Sequence, residues 1–165
     1  AIRRDDGTPV VLVTEPLLDD GTPMPTRYWL VSPSLCARVG RLEADRGVKR
    51  AEAEVGPDAL ERLHRLHASE RDAHVPDGWA GPRPFGGVGG TRRGVKCLHA
   101  HLAHWLAGGD DPVGQWVADR LGEATDPSEA TDPSEASDPG EAVNPEQSAS
   151  TQGRTEAQMV VESRP

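Results

Sequence analysis

The pattern of apolar and polar positions predicts two strands near the start of the chain. The β-branched run TPVVLVTEPLL, residues 8–18, has the composition of a strand, and TRYWLV, residues 26–31, has that of a second one. The segment DDGTP at 19–23 lies between them and has the chemistry of a turn. We therefore expect a β-hairpin or two neighbouring strands in this region.

The chain after these strands has the start and stop signals of about four helices. The first helix is predicted to begin with Ser32 as N-cap and Pro33 at its first position, and to stop at Gly47. Besides these four, the segment VKRAEAEV, residues 48–55, is compatible with an additional short helix. Later helices are predicted at 57–74, at about 95–107, and after a cap at Asp110 or Asp111, with Pro112 first and Gly122 as the stop.

The helix at 57–74 and the segment that follows it differ in composition. The histidines of this helix, His64, His67 and His74, fit an ordinary solvated helix, so we give them no catalytic role. Residues 76–94 are punctuated by Gly and Pro, which predicts a long loop. Compact domains rarely carry such a loop without a purpose.

Two strands and about four helices predict a small α+β domain over residues 1–122. The remaining residues, 123–165, begin with four hexads, EATDPS EATDPS EASDPG EAVNPE, each with proline at its fifth place. Regular proline removes amide donors and blocks helix formation, while the acidic residues favour solvation. We therefore predict a disordered acidic tail over 123–165.

The two parts of the chain carry very different charge. Residues 1–122 contain 16 basic and 17 acidic residues, whereas residues 123–165 contain 2 basic and 10 acidic ones, which together give the net charge of −9. The acidity is therefore a property of the tail and not of the predicted domain. Nucleic acid is not among the partners that we expect.

The chain has two cysteines, Cys36 and Cys97, which does not indicate the disulfide framework of a small secreted domain. No secretory signal is recognised at the start, because Thr14 and Glu15 interrupt the apolar run there. No segment approaches the roughly 18 apolar residues of a membrane span. We expect a cytoplasmic protein without a membrane segment.

The stretch RRGVKCLHAHLAHWLAGGDDPVG, residues 92–114, contains a candidate metal site. On a helical wheel that places Cys97 at zero, His101 and His104 lie within about 40° of it, whereas His99 lies near 200°, on the far side. Thiolate and imidazole are ligands of zinc and iron. One hypothesis is therefore a Zn or Fe site that uses Cys97, His101 and His104, with donors from elsewhere in the chain and without His99.

Basic residues lie at the predicted N-terminus of the helix in the same stretch. The run GGVGGTRRGVK places Arg92, Arg93 and Lys96 beside glycines at a predicted helix N-terminus, where free amides and cations suit a phosphate-type anion. Basic residues destabilise a helix at this end, and an anionic partner would offset that penalty. The glycine spacing matches neither a Walker A motif nor GxGxxG. A second hypothesis is a small binding module for an anionic ligand at these three cations.

Simpler interpretations stay open beside both hypotheses. His101 and His104 also fit partly buried, hydrogen-bonded histidines, with Cys97 as a small core residue, and the basic segment also fits a solvated loop. A cysteine four residues before a histidine has the elements of an activated thiolate. The pattern indicates no third, orienting residue, so it does not decide whether the chain is an enzyme.

Three stretches resemble a known family. The runs GTPMPTRYWLVSP, RLEADRGVKR and RGVKCLHAHLAHWLAGGDDPVGQWV are similar to the bacterial family called domain of unknown function 501, which is common in actinobacteria. The similarity covers about residues 8–121. The family has no established activity, so the resemblance implies no catalytic role. Its genes often neighbour those of an enolase, a septum-formation initiator and an exopolyphosphatase, which implies a third hypothesis, a protein-interaction factor linked to cell division.

The chain departs from this family at two places where many members carry cysteine. Those places read RRDDGTP here, with Asp5 and Asp6, and WLVSP, with Ser32. If the family's cysteines join Cys97 in a metal site, this chain has lost them. Cys36, one helical turn beyond Ser32, is then the residue that could replace one of them.

Overall fold

The computed structural model describes residues 1–122, which begin with a three-stranded antiparallel sheet. Its strands are β1 (Ile2–Arg3), β2 (Pro9–Val13) and β3 (Tyr28–Leu30), in that order across the sheet. Val11 pairs with Leu30, so the two predicted strands are confirmed as antiparallel neighbours. The strand β1 is an addition that the pattern did not indicate.

Five α-helices follow the sheet within the described residues, and the predicted α+β class is confirmed. They are α1 (Pro33–Ala44), α2 (Gly47–Val55), α3 (Pro57–Asp72), α4 (Leu98–Leu106) and α5 (Pro112–Leu121). The predicted starts at Pro33 and Pro112 are confirmed, because proline fits the first turn of a helix, where the amide has no partner.

The largest differences from the predicted helix bounds lie at Gly47 and at the start of α4, whereas the predicted ends at 74 and 107 differ by two residues or fewer. Gly47 does not stop α1 but begins α2, because Arg46 adopts a left-handed conformation (φ 58°) that ends one helix and starts the next. The helix α4 begins at Leu98, three residues later than predicted, because Cys97 is its N-cap in an extended conformation (φ −156°, ψ 148°).

The helix α4 lies at the centre of the fold and packs against β3, α1 and α5. Its Leu98 and Leu102 are fully buried, and burying a leucine contributes about 1.5–3 kcal/mol. Around it lie buried apolar side chains from every other helix and from β2: Val10, Val11, Leu35, Val39, Ala51, Leu60, Leu63, Val113 and Val117. The polar side chains of α4 therefore need partners inside the protein.

The close approach of α5 to α4 depends on Gly114. A methyl group at Gly114 would stand 2.5 Å from the carbonyl oxygen of His101 and would overlap the side chain of Trp105. We expect Gly114→Ala to lower the free energy of unfolding by about 1–3 kcal/mol, because the two helix backbones must move apart. Urea denaturation of the purified protein measures this change.

Gly40 provides the matched control, because it is also a helical glycine but has no atom within 4 Å of its added methyl group. Gly40→Ala is expected to be neutral or to stabilise the protein by up to about 1 kcal/mol, since alanine is the better helix former. Equal urea midpoints for the two variants would contradict the packing argument.

The predicted tail at 123–165 lies outside the described residues, and the domain boundary at 122 stays a prediction. Within residues 1–122, every helix is too short or too polar to cross a membrane.

Candidate functional site

The glycine- and proline-rich loop at 76–94 is held on α3 by a buried arginine. The Arg71 guanidinium is 1% exposed and donates hydrogen bonds to the carbonyl oxygens of Pro84 and Gly86, at 3.3 and 2.7 Å. Carbonyl groups of a loop that are buried on folding lose their water partners and need hydrogen-bond donors from the protein. These hydrogen bonds therefore hold the loop in a defined conformation beside α3 and α4.

A buried histidine holds the end of the same loop. The amide of Val88 donates to Nδ1 of His64 at 3.2 Å, so Nε2 carries the proton and donates to the carbonyl oxygen of Gly94 at 2.8 Å. Burial lowers the pKa of His64, which keeps this neutral form. The expectation of solvated histidines on α3 is wrong for His64 and His67, which are buried, whereas His74 is exposed.

The N-terminus of α4 brings three metal-ligand side chains together. The amide of Leu98 donates to Oε1 of Glu43, from the last turn of α1, at 2.5 Å. Nδ1 of His99 lies 3.2 Å from the same oxygen. Together with Sγ of Cys97, these ligand atoms all lie within 4.8 Å of one another, and all three residues are half-buried. Within residues 1–122, this is the group of three that is compact enough to hold a metal ion.

Both ring nitrogens of His99 face oxygen atoms that can only accept. Nε2 lies 3.1 Å from the carbonyl oxygen of Cys36, and Nδ1 lies 3.2 Å from Glu43. A neutral imidazole has one N–H, which satisfies one of these contacts. In the tautomer whose Nε2–H donates to Cys36, the other contact sets the Nδ1 lone pair against a carboxylate oxygen of Glu43. A second proton or a metal ion between His99 and Glu43 removes that repulsion.

In the structure, Cys97 has different neighbours from those that the helical wheel predicts. Because Cys97 is extended and not helical, its side chain does not follow the direction that the wheel assigned. It lies with His99, which the wheel had set on the far side, and with Glu43. His101 and His104 turn instead toward the start of α5. The predicted set of Cys97, His101 and His104 is therefore divided between two clusters.

The second cluster is built on Asp111, which is 1% exposed and is the N-cap of α5. Its Oδ1 accepts from the amides of Val113 and Gly114 at 3.0 and 2.8 Å. Its Oδ2 accepts from Nδ1 of His101 and Nδ1 of His104, each at 3.0 Å. Burial alone would raise the pKa of Asp111, but the hydrogen bonds from both histidines lower it to about 2. The Asp111 carboxylate therefore holds the imidazoles of His101 and His104 in place and also caps the N-terminus of α5.

The imidazole of His104 extends this cluster toward the sheet. Its ring stacks on Tyr28, with centroids 5.2 Å apart, and meets the ring of His67 edge-on at 5.1 Å. The Tyr28 hydroxyl donates to Glu70, and burial followed by that carboxylate raises the pKa of Tyr28 to about 12. Burial and then the charge of His104 lower the pKa of His67 to about 4. In this cluster the neutral His67 contacts His104, and His104 is hydrogen-bonded to the negatively charged Asp111.

Two nitrogen atoms of this cluster lack a hydrogen-bond partner among the described residues. They are Nδ1 of His67 and Nε2 of His101, in side chains that are 2% and 1% exposed. Nδ1 of His101 donates to Asp111, so Nε2 is the nitrogen of this ring that has no partner among the described residues. The rings are positioned as ligand histidines often are, but these residues do not form a compact group of three ligand atoms.

The three basic candidate residues line two different cavities. Arg92 and Arg93 line a cavity of about 750 Å³ beside α3, and Arg92 also lies 5.3 Å from the centre of the Phe85 ring. Lys96 lines another cavity, of about 300 Å³, and donates to the carbonyl oxygen of Gly89 at 3.2 Å. The free amide at the start of α4 is taken by the carboxylate of Glu43. The three cations therefore do not converge on the N-terminus of α4.

The residues at the two places where the family resemblance leads us to expect cysteine make structural contacts, and so does the nearby Cys36. Asp6 accepts from the amide of Thr8, and the buried Ser32 accepts from Arg4 at 2.9 Å. The thiol of Cys36 donates to the carbonyl oxygen of Leu30, and burial raises its pKa. Cys36 thus contributes its carbonyl oxygen to His99, while its thiol points to the sheet.

Sequence reasoning missed Glu43 as a candidate and gave Asp111 only a capping role. Asp111 has a usable signal, because an aspartate before proline marks a helix start seven and ten residues after the two histidines. Glu43 has no local signal, since it meets Leu98 across 55 residues of sequence. Its contribution is visible only in the folded chain.

No curated protein and no solved structure matches the chain. One family model, described as a protein of unknown function (DUF501), matches residues 1–119, which is almost all of the described part and includes both clusters. This match agrees with the resemblance seen over residues 8–121. The chain therefore belongs to the DUF501 family of proteins of unknown function.

Proposed function

We propose that this domain binds a divalent transition metal through Glu43, Cys97 and His99, and that zinc is the ion its ligands suit best. The observation that carries the proposal is the contact between Nδ1 of His99 and Oε1 of Glu43, with the Cys97 thiol beside them. When His99 donates its Nε2–H to Cys36, two groups with lone pairs face each other there, and a cation between them stabilises both. A mixed sulfur, nitrogen and oxygen set is typical of zinc, with iron as the alternative.

The surroundings of His99 support this assignment. With its Nε2–H donated to the carbonyl oxygen of Cys36, the ring keeps Nδ1 as the lone-pair nitrogen. Metal-binding histidines commonly donate their second N–H to a carbonyl or carboxylate in this way. The ligand atoms of a tetrahedral zinc site stand about 3.4 Å apart, given bonds of about 2.0–2.3 Å. The ligand atoms of Glu43, Cys97 and His99 lie within 4.8 Å of one another, which is at most about 1.4 Å beyond that spacing.

The same geometry favours a metal over the anion hypothesis at this end of α4. The Glu43 carboxylate already accepts from the amide of Leu98, and without a metal ion its negative charge would repel a second anion there. The basic residues Arg92 and Arg93 line a cavity that also contains Glu52 and Glu61. A role as an interaction factor in cell division stays a prediction from the family resemblance.

The two cysteines of the chain provide a test with a matched control. We expect Cys97→Ser to weaken cobalt(II) or zinc(II) binding by at least about 100-fold, because a thiolate ligand is lost. Cys36→Ser should leave the affinity unchanged, because its thiol points to Leu30 and its carbonyl oxygen remains. Cobalt(II) titration reports thiolate coordination through a near-ultraviolet charge-transfer band, and elemental analysis measures zinc and iron in the purified protein.

Two results would contradict the proposal. The first is a wild-type protein that gives no thiolate-to-cobalt band and contains no stoichiometric zinc or iron. The second is Glu43→Gln with full metal affinity, because glutamine keeps an oxygen acceptor for the amide of Leu98 but removes the charged ligand. Circular dichroism of each variant distinguishes lost binding from lost folding.

A further inference from the structure

A small cavity lies against the proposed metal site, between β3 and the start of α4. Its volume is about 300 Å³, which is the lower end of the range for small-molecule sites. Cys97 and His99 form part of its wall, and Trp29 and Leu30 form another part. The third proposed ligand, Glu43, is not among the residues that line it. A metal ion held by all three would therefore have two of its ligands on the cavity side.

A metal ion on these three ligands would keep a fourth coordination position, which a molecule in the cavity could fill. Zinc is usually four-coordinate, and sites with three protein ligands keep the fourth position for water or a small molecule. The carboxylate of Glu43 comes from α1, is held by the amide of Leu98 and does not line the cavity. A molecule that filled this position from the cavity would lie beside Trp29 and Leu30, which line it.

Lys96 gives the cavity its charge. Its ammonium group donates one hydrogen bond to the carbonyl oxygen of Gly89 at 3.2 Å, and an ammonium has two further protons to donate. Among the described residues that line the cavity, none is an aspartate or a glutamate. The thiolate of Cys97 and the carboxylate of Glu43 neutralise a divalent ion, so Lys96 leaves one positive charge in excess.

We infer that the cavity binds a small organic monoanion, a carboxylate that coordinates the metal and pairs with Lys96. One negative charge matches the excess charge, and a bidentate head group can contact the metal and the ammonium together. The apolar remainder of the ligand lies against Trp29 and Leu30, where its burial is favourable. This inference rests on the proposed metal function and adds the class of ligand to it.

The experiment uses the full chain loaded with cobalt(II), because the visible bands of cobalt report its coordination. Benzoate is the probe, benzamide is its uncharged isostere, and inorganic phosphate is the competing anion. We expect benzoate to shift the visible bands in a saturable way, benzamide to have no effect, and phosphate to bind more weakly. Lys96→Gln should weaken benzoate binding by about tenfold, the size expected for one charge-assisted contact, while the thiolate band stays unchanged.

The exposed Lys49, on α2, provides the matched control, and Lys49→Gln should bind benzoate as the wild type does. A benzoate affinity that Lys96→Gln leaves unchanged would overturn the inference. So would visible bands that benzoate does not shift in protein that retains the thiolate band, or phosphate that binds more tightly than benzoate. Absence of the thiolate band itself is a different result, because it refutes the metal site on which the inference depends.

Discussion

Replacing Asp111 by alanine is expected to lower the free energy of unfolding by about 3–5 kcal/mol, the range seen when one partner of a buried ionic network is removed. The carboxylate accepts four donors at once, two backbone amides of α5 and the Nδ1 protons of His101 and His104. All four donors would lose this partner away from water, and each unsatisfied buried donor costs about 1–3 kcal/mol before relaxation. Urea denaturation at pH 7 measures the loss.

The neighbouring Asp110 is the control for this variant. It is exposed, so Asp110→Ala should change the unfolding free energy by less than about 0.5 kcal/mol. Asp111→Asn is an informative intermediate, because its oxygen can still accept from the helix amides while its NH₂ group faces an imidazole N–H. If Asp111→Ala were as stable as Asp110→Ala, the carboxylate would not be the centre of the cluster.

Acidification is expected to destabilise the domain well above the pH at which its carboxylates are protonated. The pKa of His67 is lowered from 6.5 to about 4, by burial and then by the positive charge of His104 and Arg71, with Glu70 and Asp111 opposing. Between pH 6.5 and about 4 the unfolded chain therefore binds more protons than the folded one, so stability falls as the pH falls. The full shift corresponds to about 3 kcal/mol.

Asp111 extends the loss of folding stability to lower pH. Its folded pKa of about 2 lies below the usual 3.8, so its contribution is present above pH 3.8 and disappears as the pH falls through 2. His67→Gln should flatten the decline between pH 6.5 and 4, whereas His74→Gln, at an exposed position, should keep it. Urea midpoints measured from pH 7 to pH 4 test both, and equal stability at the two ends would contradict the burial of a neutral His67.

The sequence predicts those parts of the fold that depend on local signals. Pro33 and Pro112 begin helices as expected, and the pairing of Val11 with Leu30 follows from two β-branched runs with a turn between them. The start of α4 was predicted too early. Val95 and Cys97 fit a helix by composition, but the amide of Val95 is taken by the carboxylate of Glu52 from α2.

The candidate site was predicted only in part, for the same physical reason. The stretch that contains Cys97, His101 and His104 was identified, but which side chains meet was decided by contacts with Glu43 and Asp111. A helical wheel describes directions around an axis, and it fails for a residue such as Cys97 that precedes the first helical turn. His64 is likewise buried because its ring is hydrogen-bonded to the carbonyl oxygen of Gly94, in a loop 30 residues away. The spacing of apolar residues along the chain carries no information about such a contact.

The contact between Glu43 and the start of α4 also governs when the proposed site can form during synthesis. Glu43 leaves the ribosome 54 residues before Cys97, and Leu98 meets it only after the loop between them has closed. No partial chain that ends before residue 97 contains the sulfur and imidazole ligands. A metal ion could therefore not assist the folding of any shorter nascent chain, and its binding would add to the docking of α1 on α4 once the complete domain has been made.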